Sequence, residues 1–386
     1  MLLSVAIFLT DASHSAVIPI FPGFAQSVGA SLATLGSYGS VSGVSMLLLS
    51  LPLGRLSDRF GRKKLMLPGL LLFILVPLSY MVVKNPIQLY PIRVAYGLGT
   101  GLIFGNGFLL MSEISSPTYR NRAQGLYMTS MGLGFTIGPL IGGYAATLYG
   151  FKLSFIISGS LAVAALLLLL FIGERFTVIT DTQKAFKFNS LLQDARVLAA
   201  GLANFLNSLM FNAVTLFFPV YAENIGFNEA EIGVGLTARG LASTTVRLPV
   251  GAVAKYINVL SLMISGLVLS AVSLFAVSTF STLILISVLM GIQGIAYGIF
   301  LTTGNIYVME ESPQELRGTS MALYSMFGYV SSIVNPLILG FIAESFGTKA
   351  ALQFSALASV LLVLPVYFLG RKQRSPNVAT KNLESP

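Results

Sequence analysis

The sequence predicts an all-α polytopic membrane protein whose twelve transmembrane helices form two pseudo-symmetric six-helix bundles. Three observations predict this fold class: little charge, apolar runs long enough to span a bilayer, and an internal repeat. Only 10% of the 386 residues are charged, 55% are hydrophobic, and the mean hydropathy is +0.82. A soluble domain carries about a quarter charged residues, so this chain lacks the polar surface that a soluble core needs.

The apolar runs have the length of membrane-spanning helices. About 20 residues are needed for a helix to cross a hydrocarbon core of roughly 30 Å, whereas the strands of a membrane barrel are shorter and alternate in polarity. The twelve predicted spans cover 2–24, 35–54, 65–83, 87–111, 123–148, 152–173, 197–222, 231–252, 259–278, 282–308, 319–345 and 349–369. The chain has no cysteine, which excludes disulfides and thiol chemistry.

Basic residues are distributed unequally between the two sets of loops, which predicts the orientation. One set holds seventeen, namely Arg55, Arg59, Arg62, Lys63, Lys64, Arg120, Arg122, Arg175, Lys184, Lys187, Arg196, Lys255, Arg317, Arg371, Lys372, Arg374 and Lys381. The other set holds Lys84, Lys152 and Lys349. Basic loops mark the cytoplasmic side, so both termini are expected there, in a multi-pass protein of the cell (inner or plasma) membrane. The net charge of +9 is therefore a topology signal and does not indicate nucleic-acid binding.

One long loop divides the chain. Residues 174–196 are polar and of mixed charge, which is typical of a cytoplasmic linker, with a short amphipathic surface helix as a further expectation. The predicted domains are an N-terminal bundle over 1–173, a C-terminal bundle over 197–370 and a cytoplasmic tail over 371–386. The N-terminus lacks the basic segment of a cleavable signal, and its abrupt start predicts a tail that is short or missing.

The two halves repeat each other at a constant offset of 197 residues. The matching pairs include Pro22 with Pro219, Gly29 with Gly226, Gly54 with Gly251, Gly97 with Gly294, Glu113 with Glu310, Arg120 with Arg317, Tyr127 with Tyr324, Pro139 with Pro336 and Gly150 with Gly347. Chance glycine matches are the alternative, but prolines, an arginine and a glutamate match as well. Two bundles of the same topology, related by an axis along the membrane normal, are one way in which transporters are built.

A charged stretch, GRLSDRFGRK, interrupts the apolar sequence after the second span. It resembles the loop motif G-x-L-x-D-R-x-G-R-[KR] of the major facilitator superfamily, and the chain as a whole resembles the twelve-helix drug:proton antiporters of that family. The resemblance implies a conformational latch, in which Asp58 binds the N-terminus of the eleventh span near Gly318 and Thr319, where the helix dipole attracts an anion. The predicted latch residues are Gly54, Asp58, Arg59, Gly61 and Arg62. A purely topological role is the alternative, and Lys255 replaces the acid in the second half.

A second motif, GFTIGPLIGG, lies in the fifth span. It resembles the G-x-x-x-G-P-x-x-G-G pattern associated with antiporters of the same superfamily, and its members are Gly134, Gly138, Pro139, Gly142 and Gly143. Small residues four apart let helices pack closely, and proline weakens the local helix ladder. The motif therefore predicts a bendable seam in an exporter, with helix packing alone as the alternative.

Three ionisable residues within the spans are candidates for proton coupling, because charge inside a membrane is costly and usually functional. Asp11 and His14 share one face of the first span, and Arg93 in the fourth span resembles an arginine motif of the superfamily. Desolvation favours the protonated form of a carboxylate, and a nearby arginine favours its ionised form. We expect Asp11 to carry the proton and Arg93 to be the partner that tunes it, although Arg93 is placed a turn or two nearer the outer face; a structural ion pair is the alternative.

Polar, aromatic and methionine side chains near the centre of several spans predict a substrate cavity, because such groups adapt to varied apolar or cationic ligands. The candidates are Tyr96, Asn106, Tyr127, Met131, Asn207, Arg239, Gln293, Tyr297 and Tyr324. For each residue taken singly, ordinary packing is the alternative, and the sequence favours it over a substrate contact. No metal, cofactor or enzymatic activity is predicted, since no metal cluster, nucleotide-binding loop or catalytic triad occurs in the sequence.

These features predict a secondary active transporter that exports small amphipathic or cationic, drug-like molecules by proton antiport and alternating access. Its predicted partners are the small-molecule substrate, protons and the lipid bilayer, and the chain is expected to act as a monomer. One alternative is a metabolite or sugar exporter or facilitator of the same superfamily. The other is a membrane receptor or scaffold that transports nothing. Transport with and without a pH gradient distinguishes the three.

Overall fold

The computed structural model describes residues 1–173, 194–312 and 316–371, and within these ranges it contains helices and turns but no strand. The predicted linker lies outside the described residues except for 194–196, and the predicted tail lies outside them except for Arg371. The proposed domain boundaries at these two places, and the surface helix in the linker, therefore stay predictions.

All twelve predicted spans are helical, which confirms the fold class. They are α1 (Leu2–Ser27, in two segments, Leu2–Ala16 and Phe21–Ser27), α2 (Leu32–Phe60), α3 (Arg62–Tyr80), α4 (Leu89–Ile114), α5 (Arg120–Tyr149), α6 (Phe151–Leu170), α7 (Ala195–Asn224), α8 (Glu229–Val253), α9 (Val259–Val277), α10 (Leu283–Glu311), α11 (Arg317–Phe346) and α12 (Thr348–Arg371). In the described chain, eleven of them are long and apolar enough to cross a membrane. The exception, α8, is 25 residues long but carries two glutamates and two arginines.

The charged motif is mostly helical rather than a loop. The sequence predicts that the second span ends at residue 54, but α2 continues to Phe60, and α3 begins at Arg62. Only Gly61 separates the two helices, with a φ of 94° that a residue with a Cβ rarely adopts. The helix continues because the motif is free of prolines and its charges lie beyond the apolar part of α2.

The internal repeat is visible in the backbone. Moved by 197 residues, α3 and α5 take the bounds of α9 and α11. Gly29 and Gly226 both have positive φ, 94° and 96°, and Gly150 and Gly347 have 79° and 88°. The break in α1 after Ala16 corresponds to a π-helical segment in α7, Ala213–Phe217. Each irregularity precedes a proline-containing helical segment, so the repeat preserves local geometry as well as sequence.

Two pairs of helices join the N-terminal half (α1–α6) to the C-terminal half (α7–α12): α2 packs against α11, and α5 packs against α8. Within the N-terminal half, α1 contacts α5 and α6, and α3 contacts α4; within the C-terminal half, α7 contacts α11 and α12, and α9 contacts α10. These packing partners are equivalent under the repeat. The two bundles therefore face each other across a pseudo-two-fold axis.

The two ends of this assembly differ in how closely the halves approach. We call the end with Gly29, Gly150, Gly226 and Gly347 the sealed end, and the end with Gly61 the basic end. Six hydrogen bonds between the halves involve the parts of α2, α5, α8 and α11 nearer the sealed end. Near the basic end of the same four helices, a Cβ added at Gly54, Gly125, Gly251 or Gly318 would meet no described atom within 4 Å. The halves are in contact at the sealed end and apart at the basic end.

Candidate functional site

A cavity of about 560 Å³ lies between the two halves. Its lining comes from α1, α2, α4 and α5 of the N-terminal half and from α7, α8, α10 and α11 of the C-terminal half. These eight helices correspond in pairs under the repeat, and the other four stand outside them. The volume is in the range of sites that bind drug-sized molecules, about 300–1,000 Å³.

The three residues predicted to couple protons lie in one connected cluster in the N-terminal half. The guanidinium of Arg93 lies 4.4 Å from the ring centroids of both Phe21 and Tyr96. The Tyr96 hydroxyl hydrogen-bonds Nε2 of His14, whose ring also stacks on Tyr96 with 5.3 Å between centroids. His14 Nδ1 is 3.8 Å from Oδ1 of Asp11. Arg93 therefore reaches Asp11 through Tyr96 and His14 and does not pair with it directly.

Asp11 is 4% exposed, and its Oδ2 has no hydrogen-bond partner in the described chain. Asp11 and His14 are polar residues within the otherwise apolar sequence of α1, and both lie on the face of that helix that lines the cavity. The ring of Phe73 also packs against His14, with 5.7 Å between ring centroids, and it lies 6.3 Å from the ring of Tyr96. The Asp11 carboxyl group is thus buried at the wall of the cavity, next to a cluster of rings.

The glycine motif of the fifth span packs directly against the helix that carries Asp11. A Cβ added at Gly134 would be 2.9 Å from the Cβ of Asp11, and one at Gly138 would be 2.6 Å from the Ala12 carbonyl oxygen. Ser15 donates hydrogen bonds to the carbonyls of Asp11 (2.6 Å) and Gly134 (3.0 Å). Any larger residue in this stretch of α5 would push α1 away and move Asp11.

The end of the same motif contributes to both neighbours of α5. A Cβ at Gly142 would be 3.0 Å from Cα of Ala16 in α1, whereas Gly143 faces the backbone of Glu229 in α8. Pro139 lies inside α5, and its carbonyl oxygen is 2.5 Å from the Cβ position of Gly233. The motif thus joins α5 to α1 within one half and to α8 of the other half.

The C-terminal half holds a second arginine between rings. The guanidinium of Arg239 lies 4.5 Å from the ring centroid of Tyr297 and 5.4 Å from that of Phe211. Its Nε donates to Oε1 of Gln293 (2.5 Å), and Nε2 of Gln293 donates to the Ser270 hydroxyl (3.0 Å). The Arg239 side chain is 1% exposed, and its Nη2 has no hydrogen-bond partner among the described residues.

A third arginine, Arg247, also lines the cavity. It hydrogen-bonds the Ser243 hydroxyl at 3.3 Å and interacts electrostatically with Asp11 in the other half. No carboxylate of the described chain forms an ion pair with any of the three arginines. Apart from tyrosines, the ionisable residues that line the cavity are Asp11, His14, Arg93, Arg239 and Arg247.

Six of the nine predicted cavity residues line the cavity: Tyr96, Met131, Asn207, Arg239, Tyr297 and Tyr324. Asn106, Tyr127 and Gln293 lie behind the lining. Asn106 donates to the Leu102 carbonyl, the Tyr127 hydroxyl donates to the Phe104 carbonyl, and Gln293 binds Arg239. These three side chains form hydrogen bonds inside the helix bundles instead of lining the cavity, because the helix faces that carry them point toward neighbouring helices.

Several apolar liners were not among the predicted residues. Phe21, Phe104, Phe135 and Phe211 all line the cavity, and the rings of Phe135 and Phe211 approach each other from opposite halves with 6.2 Å between centroids. Two of these phenylalanines could have been found from their helical spacing to a residue that the sequence analysis had already selected. Phe21 lies two turns from His14 on α1, and Phe135 lies one turn from Met131 on α5.

The predicted latch residues lie together at the basic end, but Asp58 contacts its own half. Its Oδ1 is 2.5 Å from Nη2 of Arg62, whose Nε donates to Glu113 at 3.1 Å. At the N-terminus of α11, where the latch partner is predicted, the N-cap residue Leu316 makes no side-chain capping bond, and no described side chain is seen to cap the helix. Arg59 lies over the ring of Phe60 at 5.3 Å. In this conformation the basic end is open, and the latch contact is not formed.

The chain matches a family of membrane transporters in sequence and resembles solved transporters in structure. The family description "Major Facilitator Superfamily" matches residues 3–198 and 200–385. The multi-drug resistance efflux pump PmrA of Streptococcus pneumoniae is 25% identical over 91% of this chain and 90% of its own length. Multidrug resistance protein MdtG of Enterobacter lignolyticus is 26% identical over 93% and 88%. A bacterial homologue of the human lysosomal transporter Spinster, solved in an inward-facing and occupied conformation, superposes with a TM-score of 0.82 at 13% identity, covering 96% of each chain.

Proposed function

The chain belongs to the Major Facilitator Superfamily, and from this premise we propose that it exports small amphipathic molecules in exchange for protons. Its relatives in the family are transporters and not enzymes. Export of drug-like compounds is supported by the printed names of PmrA and MdtG. The proposed mechanism is alternating access, in which the two halves rock around the cavity between them. We further propose that the chain works as a monomer in the cell membrane.

The observation that carries this proposal is the position of Asp11. Its buried carboxyl group faces a cavity shared by both halves, and its helix is held against the antiporter-type glycine motif at Gly134. A proton on such a group changes the charge of the cavity at the point where α1 and α5 pack. We propose that Asp11 takes a proton from one side and releases it to the other, with His14, Tyr96 and Arg93 as the polar cluster that positions it.

The basic end is proposed to face the cytoplasm, with both termini on that side, because its loops hold most of the basic residues. The conformation described here is then open to the cytoplasm. In the opposite conformation, we propose that Asp58 leaves Arg62 and binds the N-terminus of α11 near Gly318 and Thr319. This contact would close the basic end while Gly54 and Gly61 allow the helices to approach.

The test is substrate transport by Asp11→Asn in proteoliposomes with an imposed pH gradient. Asparagine keeps the shape of the side chain but cannot carry an exchangeable charge, so the gradient should no longer drive accumulation. Exchange of labelled for unlabelled substrate, which needs no net proton movement, should persist. The readouts are the internal pH, from an enclosed dye, and the accumulated substrate.

Glu310→Gln is the matched control, since Glu310 is an exposed acid at the basic end that does not line the central cavity. It should transport as the unmodified chain does. Undiminished proton-driven accumulation by Asp11→Asn would remove Asp11 from the mechanism. Substrate movement that never responds to a pH gradient, in the unmodified chain as well, would favour a facilitator of the same superfamily.

A further inference from the structure

The charges that line the cavity do not balance. Three arginines face it, against one carboxylate. No ion pair of the described residues involves these arginines, and the single carboxylate, Asp11, can neutralise at most one of the three. Buried charges are normally paired, because an uncompensated charge in a low-dielectric environment is strongly unfavourable. The protein therefore supplies less negative charge than the cavity requires.

We infer that the cavity binds small amphipathic anions, and that a carboxylate, sulfonate or phosphate group of the substrate lies at Arg239. The inference rests on the proposed function and narrows its substrate class. Arg239 is held in place by a hydrogen bond to Gln293, which in turn binds Ser270, while its Nη2 has no hydrogen-bond partner among the described residues. A guanidinium with fixed orientation and free donors is suited to an oxyanion. Arg93, with its unpartnered Nε, is the second positive group of the same cavity.

The remainder of the cavity wall suits the apolar part of such a molecule. Phenylalanine rings from both halves, those of Phe104, Phe135 and Phe211, line the cavity, together with Met46 and Met131. Aromatic and methionine side chains accept varied apolar shapes. A cationic substrate would find the same apolar surface but would meet an excess of like charge. The cavity thus disfavours the cationic substrates that the sequence also predicts.

An anionic substrate fits the proposed exchange energetically. The entry of a proton and the exit of an anion both make the net charge of the interior more positive. An inside-negative membrane potential therefore assists both movements. The two ligands also use different groups, because the proton binds Asp11 near Arg247 and the anion binds Arg239. Their coupling is then carried by the change of access and not by competition for one site.

The first test compares two probes that differ in one charged group. 1-Anilinonaphthalene-8-sulfonate is an amphipathic anion, and N-phenyl-1-naphthylamine is the same ring system without the sulfonate. Fluorescence titration of the full chain in lipid nanodiscs, with empty nanodiscs subtracted, measures both affinities. The anion should bind roughly 10- to 100-fold more tightly, as expected for a hydrogen-bonded charge. Equal affinities, or tighter binding of the neutral probe, would overturn the inference without any variant being needed.

Variants then locate the group. Arg239→Gln should remove most of the preference for the anion and leave the neutral probe unaffected, and Arg93→Gln should reduce it to a smaller extent. The matched control is Arg122→Gln, an exposed arginine at the start of α5, which should change neither affinity. Unchanged binding of the neutral probe reports that a variant is folded. An anion preference that survives both cavity substitutions would contradict the assignment.

A transport assay separates this inference from the proposed function. Fluorescein and rhodamine 123 share a xanthene ring system but carry opposite charges. In proteoliposomes with a pH gradient, faster movement of fluorescein supports both proposals. Faster movement of rhodamine 123 overturns the inference and leaves proton-coupled export intact. Movement of neither dye, together with tight binding of the anionic probe, would contradict export but support the anion site.

Discussion

The helix N-termini at the two ends of the molecule differ in how their free backbone amides are capped. At the sealed end, the backbone amides of Leu32 and Ala33, which begin α2, donate to Glu344 of α11 at 2.8 and 3.2 Å. By the repeat, Ala230 at the start of α8 donates to the Thr147 hydroxyl of α5 at 2.9 Å. At the basic end, no side chain of the described residues caps the N-terminus of α11, and Asp58 pairs with Arg62.

This difference indicates how access could alternate at little net cost. The sealed end is closed through helix N-termini whose free amides donate to a side chain of the opposite half, and the proposed latch would close the basic end in the same way. A cap of this type stabilises a helix end by about 0.5–2 kcal/mol, which is enough to bias two conformations but not to trap one. Breaking the caps of one end while forming those of the other keeps the two states close in free energy. Substitutions at either end should therefore shift populations measurably.

The largest expected effect is at the tightest contact of the sealed end. A Cβ at Gly36 would overlap the backbone of Pro336, and it would come within 3.0 Å of Cα of Gly340. Overpacking of this kind costs about 1–3 kcal/mol, so Gly36→Val should favour the state with the sealed end open by roughly 5- to 150-fold. The chain has no cysteine, so a single Ser325→Cys in the cavity wall can report access to an impermeant maleimide from each side.

The matched control for this experiment is Gly125→Val on α5. Gly125 lies near the basic end, where a Cβ would meet no described atom within 4 Å, and it is not part of the proposed latch. It should therefore leave the sealed end closed, with labelling of Ser325→Cys restricted to the basic side. Labelling of Gly36→Val only from the basic side, as in the parent protein, would show that this contact does not seal the end.

A smaller effect is expected from the two caps of the sealed end, which differ in charge. Glu344→Gln keeps an acceptor but removes the charge that favours a helix N-terminus, a difference of about 0.3–1 kcal/mol. Thr147→Val removes the neutral hydroxyl at the equivalent position of the other seam, and Glu229 remains there as a neighbour. Maleimide access through the sealed end should rise with Glu344→Gln by a factor of about 2–5. The Thr147→Val variant serves as the uncharged comparison, and the same dependence of both variants on salt would contradict a charge effect at Glu344.

The sequence predicted correctly the features that depend on the length and polarity of local segments or on the internal repeat. Span length and polarity predicted twelve helices, and the offset of 197 residues predicted two bundles of the same topology, in which the matched glycines Gly29 and Gly226 both have positive φ. The helical course of GRLSDRF was missed, because charge is typical of loops, although nothing in that stretch breaks a helix. The eighth span, 231–252, was predicted from its length in spite of its charges, and α8 is helical over these residues. That two of its four charged residues, Arg239 and Arg247, line one cavity depends on how the helices pack.

The candidate site was predicted only in part, because its chemistry does not follow the repeat. Arg93 and Arg239 both lie between a ring of the half's first helix and a ring of its fourth helix. Yet Met290 and Ser42 stand at their equivalent positions, so each arginine reaches its rings from a different helix. Whether Asn106, Tyr127 or Gln293 faced the cavity or a neighbouring helix depended on packing between helices, and periodicity alone does not specify it.

The smallest expected effect is a shift toward closure of the basic end, produced by adding a second latch acid. Asp58 has no acidic counterpart in the second half, because Lys255 occupies the equivalent position. Its symmetry-related target would be the N-terminus of α5, where Arg120 and Arg122 add positive charge to the helix dipole. Lys255→Asp should therefore create a second latch and favour closure of the basic end by about 0.3–1 kcal/mol, or a factor of 2–5.

Maleimide access to Ser325→Cys from the basic side measures this shift, and it should fall in Lys255→Asp. Lys255→Asn is the control that removes the cation without adding an anion, and it should produce little of the change. The shift should also weaken at high salt, since exposed charges are screened within about 10 Å at 0.1 M ionic strength. An equal decrease in both variants would mean that Lys255 holds the basic end open by its own charge, and that the missing acid is irrelevant to closure.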